Sequence, residues 1–288
     1  MNKIQIIVDS TVDMPWEFLK EKNVVVSPLS LNFGGIEEYE DGKTMTVDGL
    51  YKKVEETGKL PKTRAKTPGE YEKLFMQYID QGYDVIYTGI GGKFSSSFQT
   101  GTNVAMSLEK GVVEVVDSEN LSSGIGLIIM KAIKWRDEGL DVHEVAKRMR
   151  EFAKLVKSQF AVETMEYLYK GGRCSSVAKI FGTVLKIKPV IAVRDGAMTV
   201  LHKPRGKMIV ALDKLLEMLQ EDGDNVDPDM IFITHSKADE SAKYLVPKVK
   251  AMHPEANVME TVAGCIVSCH CGPGTIGILW ANKVKKED

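Results

Sequence analysis

The 288-residue chain has only four cysteines, Cys174, Cys265, Cys269 and Cys271, and three of them fall within seven residues. That crowding suits no disulfide framework and reads as reduced thiols in a cytoplasmic protein. Charge of either sign is not in surplus: 38 Lys plus Arg against 40 Asp plus Glu leave a net charge of -2. Broad nucleic-acid binding needs an excess of cations to displace counterions, so that class is excluded. The first nine residues have neither the apolar run nor the cleavage site of a signal peptide. Only Thr261–Asn282 lacks Asp, Glu, Lys and Arg for long enough to suggest a membrane. Its middle, Ser268-Cys269-His270-Cys271-Gly272-Pro273-Gly274, is polar where a bilayer is driest. We read no membrane span there, but two short buried strands around a loop.

Catalytic signatures are also missing. There is no G-x-S-x-G elbow and no G-x-x-x-x-G-K-[ST] loop. Cys269-His270-Cys271 has no second ligand pair, and on an extended segment neighbouring side chains point to opposite faces, so no metal site is expected. His143 is followed by Glu144 without the second His of a zinc helix and reads as a surface residue. His235 and His253 carry no pattern and read as solvent or loop residues. No internal repeat or low-complexity tract is present.

What remains is an ordinary globular composition, 43% hydrophobic and 27% charged, long enough for about two domains. Ile4–Val8, Val24 towards Leu31, Val85–Thr88 and Val112–Val116 are strand-like and alternate with helical segments. Thr46 caps one helix. Thr67-Pro68-Gly69-Glu70 is a capping box with Pro at the first helical position. Gly89–Ser97 enters another helix, and Leu121–Trp135 and Val142–Val156 read as two more. Repeated β-loop-α units predict a parallel sheet, with ligands at the carboxyl ends of its strands. Asp9-Ser10, Gly91–Ser97 and Asp117-Ser118 all fall at such ends. Gly91–Ser97 offers N–H groups and hydroxyls to an anion, or is simply a Ser-capped helix.

Beyond Phe160 the pattern changes. Arg194-Asp195-Gly196 between Pro189–Val193 and Ala197–Leu201 is a hairpin signal. Helices over 207–219 and 240–252 alternate with a strand over 230–234. The expectation is an α/β protein of two domains: an N-terminal parallel-sheet domain, residues 1–158, and a C-terminal mixed-sheet domain, residues 159–288.

Several segments together resemble the DegV family of bacterial fatty-acid-binding proteins, over about residues 3–284. They are Asp9-Ser10-Thr11, Val116-Asp117-Ser118 with Ser123-Gly124-Ile125-Gly126, the block Glu163–Arg173, and His270-Cys271-Gly272-Pro273-Gly274. The resemblance implies two α/β domains with a long-chain fatty acid buried between them and no cofactor. It implies a carrier, not an enzyme, which presents the carboxylate to the catalytic subunit of an ATP-dependent fatty acid kinase. That partner forms an acyl phosphate for phospholipid synthesis. By residue, Thr63 and Ser95 match carboxylate contacts, and His270 joins their polar cluster. Arg173 and Arg205 match arginines near the carboxyl end or the kinase-facing surface. This chain departs from the family pattern at Arg64 and Lys66, which make the Thr63 loop more cationic. It departs also at Ser96 in place of Gly, which is expected to restrict the backbone, and at Cys269 and Cys271 in place of hydroxyl residues.

Physical chemistry suits a lipid carrier. Burying about fifteen methylenes at ~0.8 kcal/mol each gives roughly 12 kcal/mol gross, against association costs of about 4 kcal/mol or more. The tail then supplies affinity and the head group fixes orientation. A buried carboxylate needs hydrogen bonds or a cation, and Thr63, Ser95 and a protonatable His270 fit that need. Two other classes use the same residues. A phosphotransferase or hydrolase would act through Asp9, Asp117 and His270, though each Asp also reads as a turn-ordering cap. A redox or metal module would use Cys265, Cys269 and Cys271.

Overall fold

The computed structural model describes residues 2–173 and 187–284. The first half builds a four-stranded, all-parallel sheet from β1 (Lys3–Asp9), β2 (Val24–Ser27), β6 (Tyr83–Gly89) and β7 (Val113–Asp117), in the order β2-β1-β6-β7. The connecting helices are α1 (Trp16–Glu21), α2 (Val47–Thr57), α3 (Pro68–Ile79) and α4 (Ser97–Ser107). Thr46 caps α2 by accepting from the Gly49 N–H, and Thr67 and Glu70 form the reciprocal capping box of α3.

The second half is a six-stranded mixed sheet. Its strands are β8 (Val156–Ala161), β9 (Val190–Arg194), β10 (Ala197–His202), β11 (Ile231–Ser236), β12 (Val258–Val262) and β13 (Thr275–Ala281), in the order β10-β9-β8-β13-β11-β12. Only β11 and β12 run parallel, joined through α9 (Asp239–Met252). The β9–β10 hairpin turns on Asp195 and Gly196, at φ 49° and 70°. Two successive positive φ values match the right-handed strand twist, which is why Asp-Gly favours a two-residue turn. The expected α/β class, with a parallel and a mixed sheet, is what the chain adopts.

The two large sheets share one apolar cluster. Helix α5 (Ser123–Asp137) packs on β1 and on β8, β11 and β13. Ile125, Ile128 and Ile129 join one apolar cluster with Ile6 and Val8 of the first sheet and Phe232 and Leu279 of the second. Its first two turns, Ser123–Ile129, carry no charge and are buried all round, whereas Lys134 and Asp137 nearer its end are exposed. Helix α6 (Val142–Ala153) stops short of the expected Val156, which already belongs to β8. A boundary at residue 158 would cut β8, so we propose the division at 154–155. The C-terminal half also holds helices α7 (Glu166–Lys170) and α8 (Met208–Asp222), and one further element.

That element is α10 (Cys265–Cys271), where the sequence predicted a loop between strands. The strands β12 and β13 are present, but Cys-Ile-Val-Ser-Cys-His-Cys between them is helical. Its composition is poor in helix formers, and seven residues are too few to hold a helix by themselves. Tertiary contacts decide it: Cys265, Ile266 and Cys269 pack with Leu29, Leu31, Met45 and Leu50 of the first half. A second unanticipated feature is a small antiparallel sheet of β3 (Ser30–Asn32), β4 (Tyr39–Glu40) and β5 (Lys62–Arg64), in the order β4-β3-β5. Val24 therefore does not continue to Leu31 as one strand; the chain breaks after Ser27 and changes sheet. No helix among the described residues is long and apolar enough to cross a membrane.

Candidate functional site

Strand β5 holds Thr63 opposite Leu31 of β3, and this small sheet lays Thr63 against the C-terminal end of α10. There Thr63 Oγ1 and His270 Nε2 lie 3.2 Å apart. The other ring nitrogen, Nδ1, is buried without a partner among the described residues. It faces Gly171, where a Cβ would come within 2.3 Å of it. Burial, and secondarily the charge of Arg173, push the His270 pKa down to about 4. The ring is therefore neutral near pH 7, so it serves as a hydrogen-bonding group there and not as a cation. With the hydrogen on Nε2 donated to Thr63, only a lone pair is left buried at Nδ1. The Thr63 hydroxyl hydrogen is then free to point at a ligand.

Thr63, Ser95, Arg173 and His270 line one cavity, with Ile90, Phe94 and Leu121 of the first half and Phe160, Met198 and Leu279 of the second. Ser95 sits where the chain turns into α4. Its Oγ accepts from the Ser97 N–H at 3.2 Å and lies 2.9 Å from Ser97 Oγ. Arg173 follows the glycine stop of α7 and donates to the Gly171 carbonyl at 2.9 Å. Arg205 is apart from this group: it is exposed, in an isolated bridge with Ile187, and does not line the cavity.

The departures from the family pattern take on physical meaning here. Arg64 lines the cavity but its guanidinium is shared between Glu38 (2.6 and 3.0 Å) and Glu70 (2.7 and 3.2 Å). The loop is therefore not the surplus of positive charge that its sequence suggests. Ser96 has φ -74° and ψ -2°, a conformation open to any residue, so it restricts nothing. Cys271 lines the cavity, and burial pushes its thiol up to about 12. Burial also raises the thiols of Cys265 and Cys269.

Sequence reasoning missed several residues. His235, read as a solvent residue, is 3% exposed and lines the cavity; its Nδ1 accepts from the Ala238 N–H at 3.2 Å. His253 is likewise buried. Thr234 and Ser236, at the carboxyl end of β11, also line the wall, and that strand-end position was the available signal. Residues of the first half grip α10. Asp13 Oδ1 accepts from the Gly264 N–H (2.8 Å) and Asp41 Oδ1 from the Cys265 N–H (2.7 Å). Tyr51 Oη donates to the Ser268 carbonyl at 3.1 Å and lies 2.6 Å from Ser236 Oγ. Burial raises the carboxyls of Asp13 and Asp41, and that of Asp9 to about 6.

Asp9 and Asp117 are occupied elsewhere. Asp9 accepts from the Thr11 and Ile90 N–H groups, both at 3.0 Å. Asp117 accepts from those of Gly92 (3.0 Å) and Glu119 (2.9 Å). Neither lines the cavity that holds His270. Among the described residues no group of three or more His, Cys, Asp or Glu side chains is placed to hold a metal ion.

A family model described as "Uncharacterised protein, DegV family" matches residues 3–283. A DegV domain-containing protein of Clostridium acetobutylicum is 30% identical, over 98% of this chain and 100% of its own. Among solved structures, a fatty-acid-binding DegV family protein from Thermus thermophilus superposes with a TM-score of 0.90 at 25% identity, over 98% of this chain and 100% of that one. A stearic acid-binding protein from Eubacterium ventriosum gives 0.85 at 25% identity, over 97% and 98%.

Proposed function

Because the chain belongs to the DegV family, we propose that its cavity binds a long-chain fatty acid between the two sheets, with the carboxylate at the Thr63, Ser95, His270 and Arg173 end. The observation that carries this reading is the Thr63–His270 pair in a mainly apolar cavity built from both halves. A neutral imidazole that donates to Thr63 leaves a hydroxyl donor for an anion. Ser95 adds a second hydroxyl and Arg173 a cation with no ion-pair partner among the described residues. Donors and one positive charge suit a carboxylate and disfavour an ammonium head group. Solved relatives described as binding fatty acid, and stearic acid in one case, support the ligand class.

The tail dominates affinity on the methylene arithmetic, and the polar end orients the acid. The further reading is that the protein is a carrier, without catalysis of its own, and offers this carboxylate to a separate ATP-dependent fatty acid kinase. Acyl phosphate formed there would enter phospholipid synthesis. Arg173 and the exposed Arg205 are the cations assigned to the kinase-facing side. A phosphotransferase or hydrolase is the weaker reading, since Asp9 and Asp117 order backbone N–H groups of the strand-end loops and neither lines the cavity that holds His270. The test is organic extraction of purified protein and mass spectrometry, with uptake of added oleate by delipidated protein. Near-stoichiometric acyl species are expected; their absence, with no uptake, refutes the reading.

A further inference from the structure

The one element whose helicity the sequence does not explain carries His270 at its far end. Helix α10 follows its N-cap Gly264, and its seven residues span about 10 Å at 1.5 Å per residue. The N-terminal N–H groups of Gly264 and Cys265 are taken by Asp13 and Asp41, both from the first half of the chain. A side chain at Gly264 would crowd both carboxyl groups: a Cβ there would lie 3.0 Å from Asp41 Oδ2 and 3.3 Å from Asp13 Oδ1.

Asp13 does more than hold the helix. Its other oxygen, Oδ2, accepts from the hydroxyl of Ser122 at 2.6 Å. Ser122 lines the cavity just before α5, on a different wall from α10. Both partners are held in unusual backbone conformations, Asp13 at φ 49°, ψ 42° and Ser122 at φ 55°, ψ -148°. Positive φ in Ser is sparsely populated and persists where the surroundings over-determine it. Asp13 is 5% exposed and both its carboxyl oxygens are engaged.

We infer that Asp13 is a positioning residue for the carboxylate end of the cavity: it ties the Ser122 wall to the start of α10 and thereby sets His270 against Thr63. The inference rests on the fatty-acid reading above for its ligand, and on the structure alone for the placement of His270. The Thr63–His270 separation of 3.2 Å is at the long end of hydrogen bonding, so a displacement of α10 by about an ångström breaks it. The apolar residues that would meet the tail stand mostly on other elements, among them Phe94, Phe160, Met198 and Leu279. Loss of Asp13 therefore separates head-group reading from tail binding.

The experiment compares delipidated wild-type protein with Asp13→Ala and Asp13→Asn, titrated with oleate and with methyl oleate, which has the same tail and no carboxylate. Wild type should prefer oleate by tenfold or more. Asp13→Ala should bring that preference below threefold while methyl oleate affinity stays within threefold of wild type. Asp13→Asn, whose amide oxygen still accepts from Gly264 and whose NH₂ reaches Ser122, should keep the preference within threefold. A 1H–15N spectrum of the His270 ring supplies a readout without ligand: the Nε2–H signal protected by Thr63 should be kept in Asp13→Asn and lost in Asp13→Ala. Where Asp13→Ala does not fold, Ser122→Ala removes one arm of the bridge and should lower the preference at least threefold. A preference retained in Asp13→Ala, or a parallel loss of both lipids with the ring signal intact, would overturn the inference. Wild type that binds neither lipid overturns the fatty-acid reading and the carboxylate role together. In that case the ring signal still decides whether Asp13 places His270.

Discussion

Thr63 and His270 stand 207 positions apart in the chain and meet at 3.2 Å, the first on a three-residue edge strand and the second at the end of a seven-residue helix. Two short elements, neither stable in isolation, thus bring one hydroxyl and one neutral imidazole to the rim of a cavity. The pair is a donor site, and its consequences can be measured.

Removing single hydroxyls should change presentation of the acid more than retention. Thr63→Val and Ser95→Ala each delete a partner worth about 0.5–1.5 kcal/mol, or about 1.5–3 kcal/mol against a charge. The tail's burial is several times larger, so lipid should still co-purify with both variants. Acyl phosphate formation with a cognate kinase should fall sharply, because transfer needs the oxygens held in attack geometry. Turnover is normalised to folded, lipid-loaded protein. Normal turnover in both variants would defeat the assigned roles.

The depressed His270 pKa makes a pH-dependent contribution to stability with a definite sign. From the ordinary 6.5 down to about 4, the unfolded chain binds a proton at this position and the folded chain does not. Stability from this group therefore rises with pH across that window and falls as pH drops below 6.5. Asp9 acts oppositely: its carboxyl, raised to about 6, is protonated in the folded chain where the unfolded one has ionised, so its contribution falls as pH rises from about 4 to 6. Thermal melts of His270→Gln and wild type between pH 4 and 7 separate the two. The variant should be relatively more stable at pH 4 than at pH 7 by about 3 kcal/mol, at 1.36 kcal/mol per pKa unit. A pH-independent difference would show that the ring is not held neutral.

Gly171→Ala should disturb the site although Gly171 has φ -74° and needs no special backbone freedom. The added methyl would sit 2.3 Å from His270 Nδ1 and 2.9 Å from the Tyr167 carbonyl. Overpacking of this kind costs about 1–3 kcal/mol. Denaturant unfolding should show that loss, and discrimination between oleate and methyl oleate should weaken. An unchanged midpoint with unchanged discrimination would mean that the ring has room to move.

The two arginines at the cavity should behave differently. Arg64 is held by Glu38 and Glu70, so Arg64→Ala should leave oleate affinity within about threefold. Among the described residues Arg173 bonds the Gly171 carbonyl and has no ion-pair partner, and Arg173→Ala should weaken oleate roughly tenfold while leaving methyl oleate unaffected. Equal losses in the two variants would reverse this assignment.

Much of the molecule follows from local rules. The alternation of β-branched runs with capped helices dictated the parallel sheet, because caps such as Thr46 and Thr67 act on N–H groups two or three residues away. Asp195-Gly196 dictated its hairpin for the same reason. The motifs from Glu163 to Arg173 and around His270 did most to carry the family, and they supplied Arg173 and His270; Thr63, Ser95 and Arg205 came from shorter matching segments. Geometry between distant segments was beyond local reading. Arg64 looked like free charge because its partner Glu38 lies 26 residues away. His235 looked like a loop residue because only the sheet shows that β11 is interior. Cys265–Cys271 looked extended because its helicity comes from two aspartates and an apolar seat more than 200 positions upstream. The sequence by itself determined which segments would be strands and helices where hydrogen bonding and capping are local. Only the tertiary structure decided where His270 points, because a helix too short to stand alone takes its direction from what it packs against.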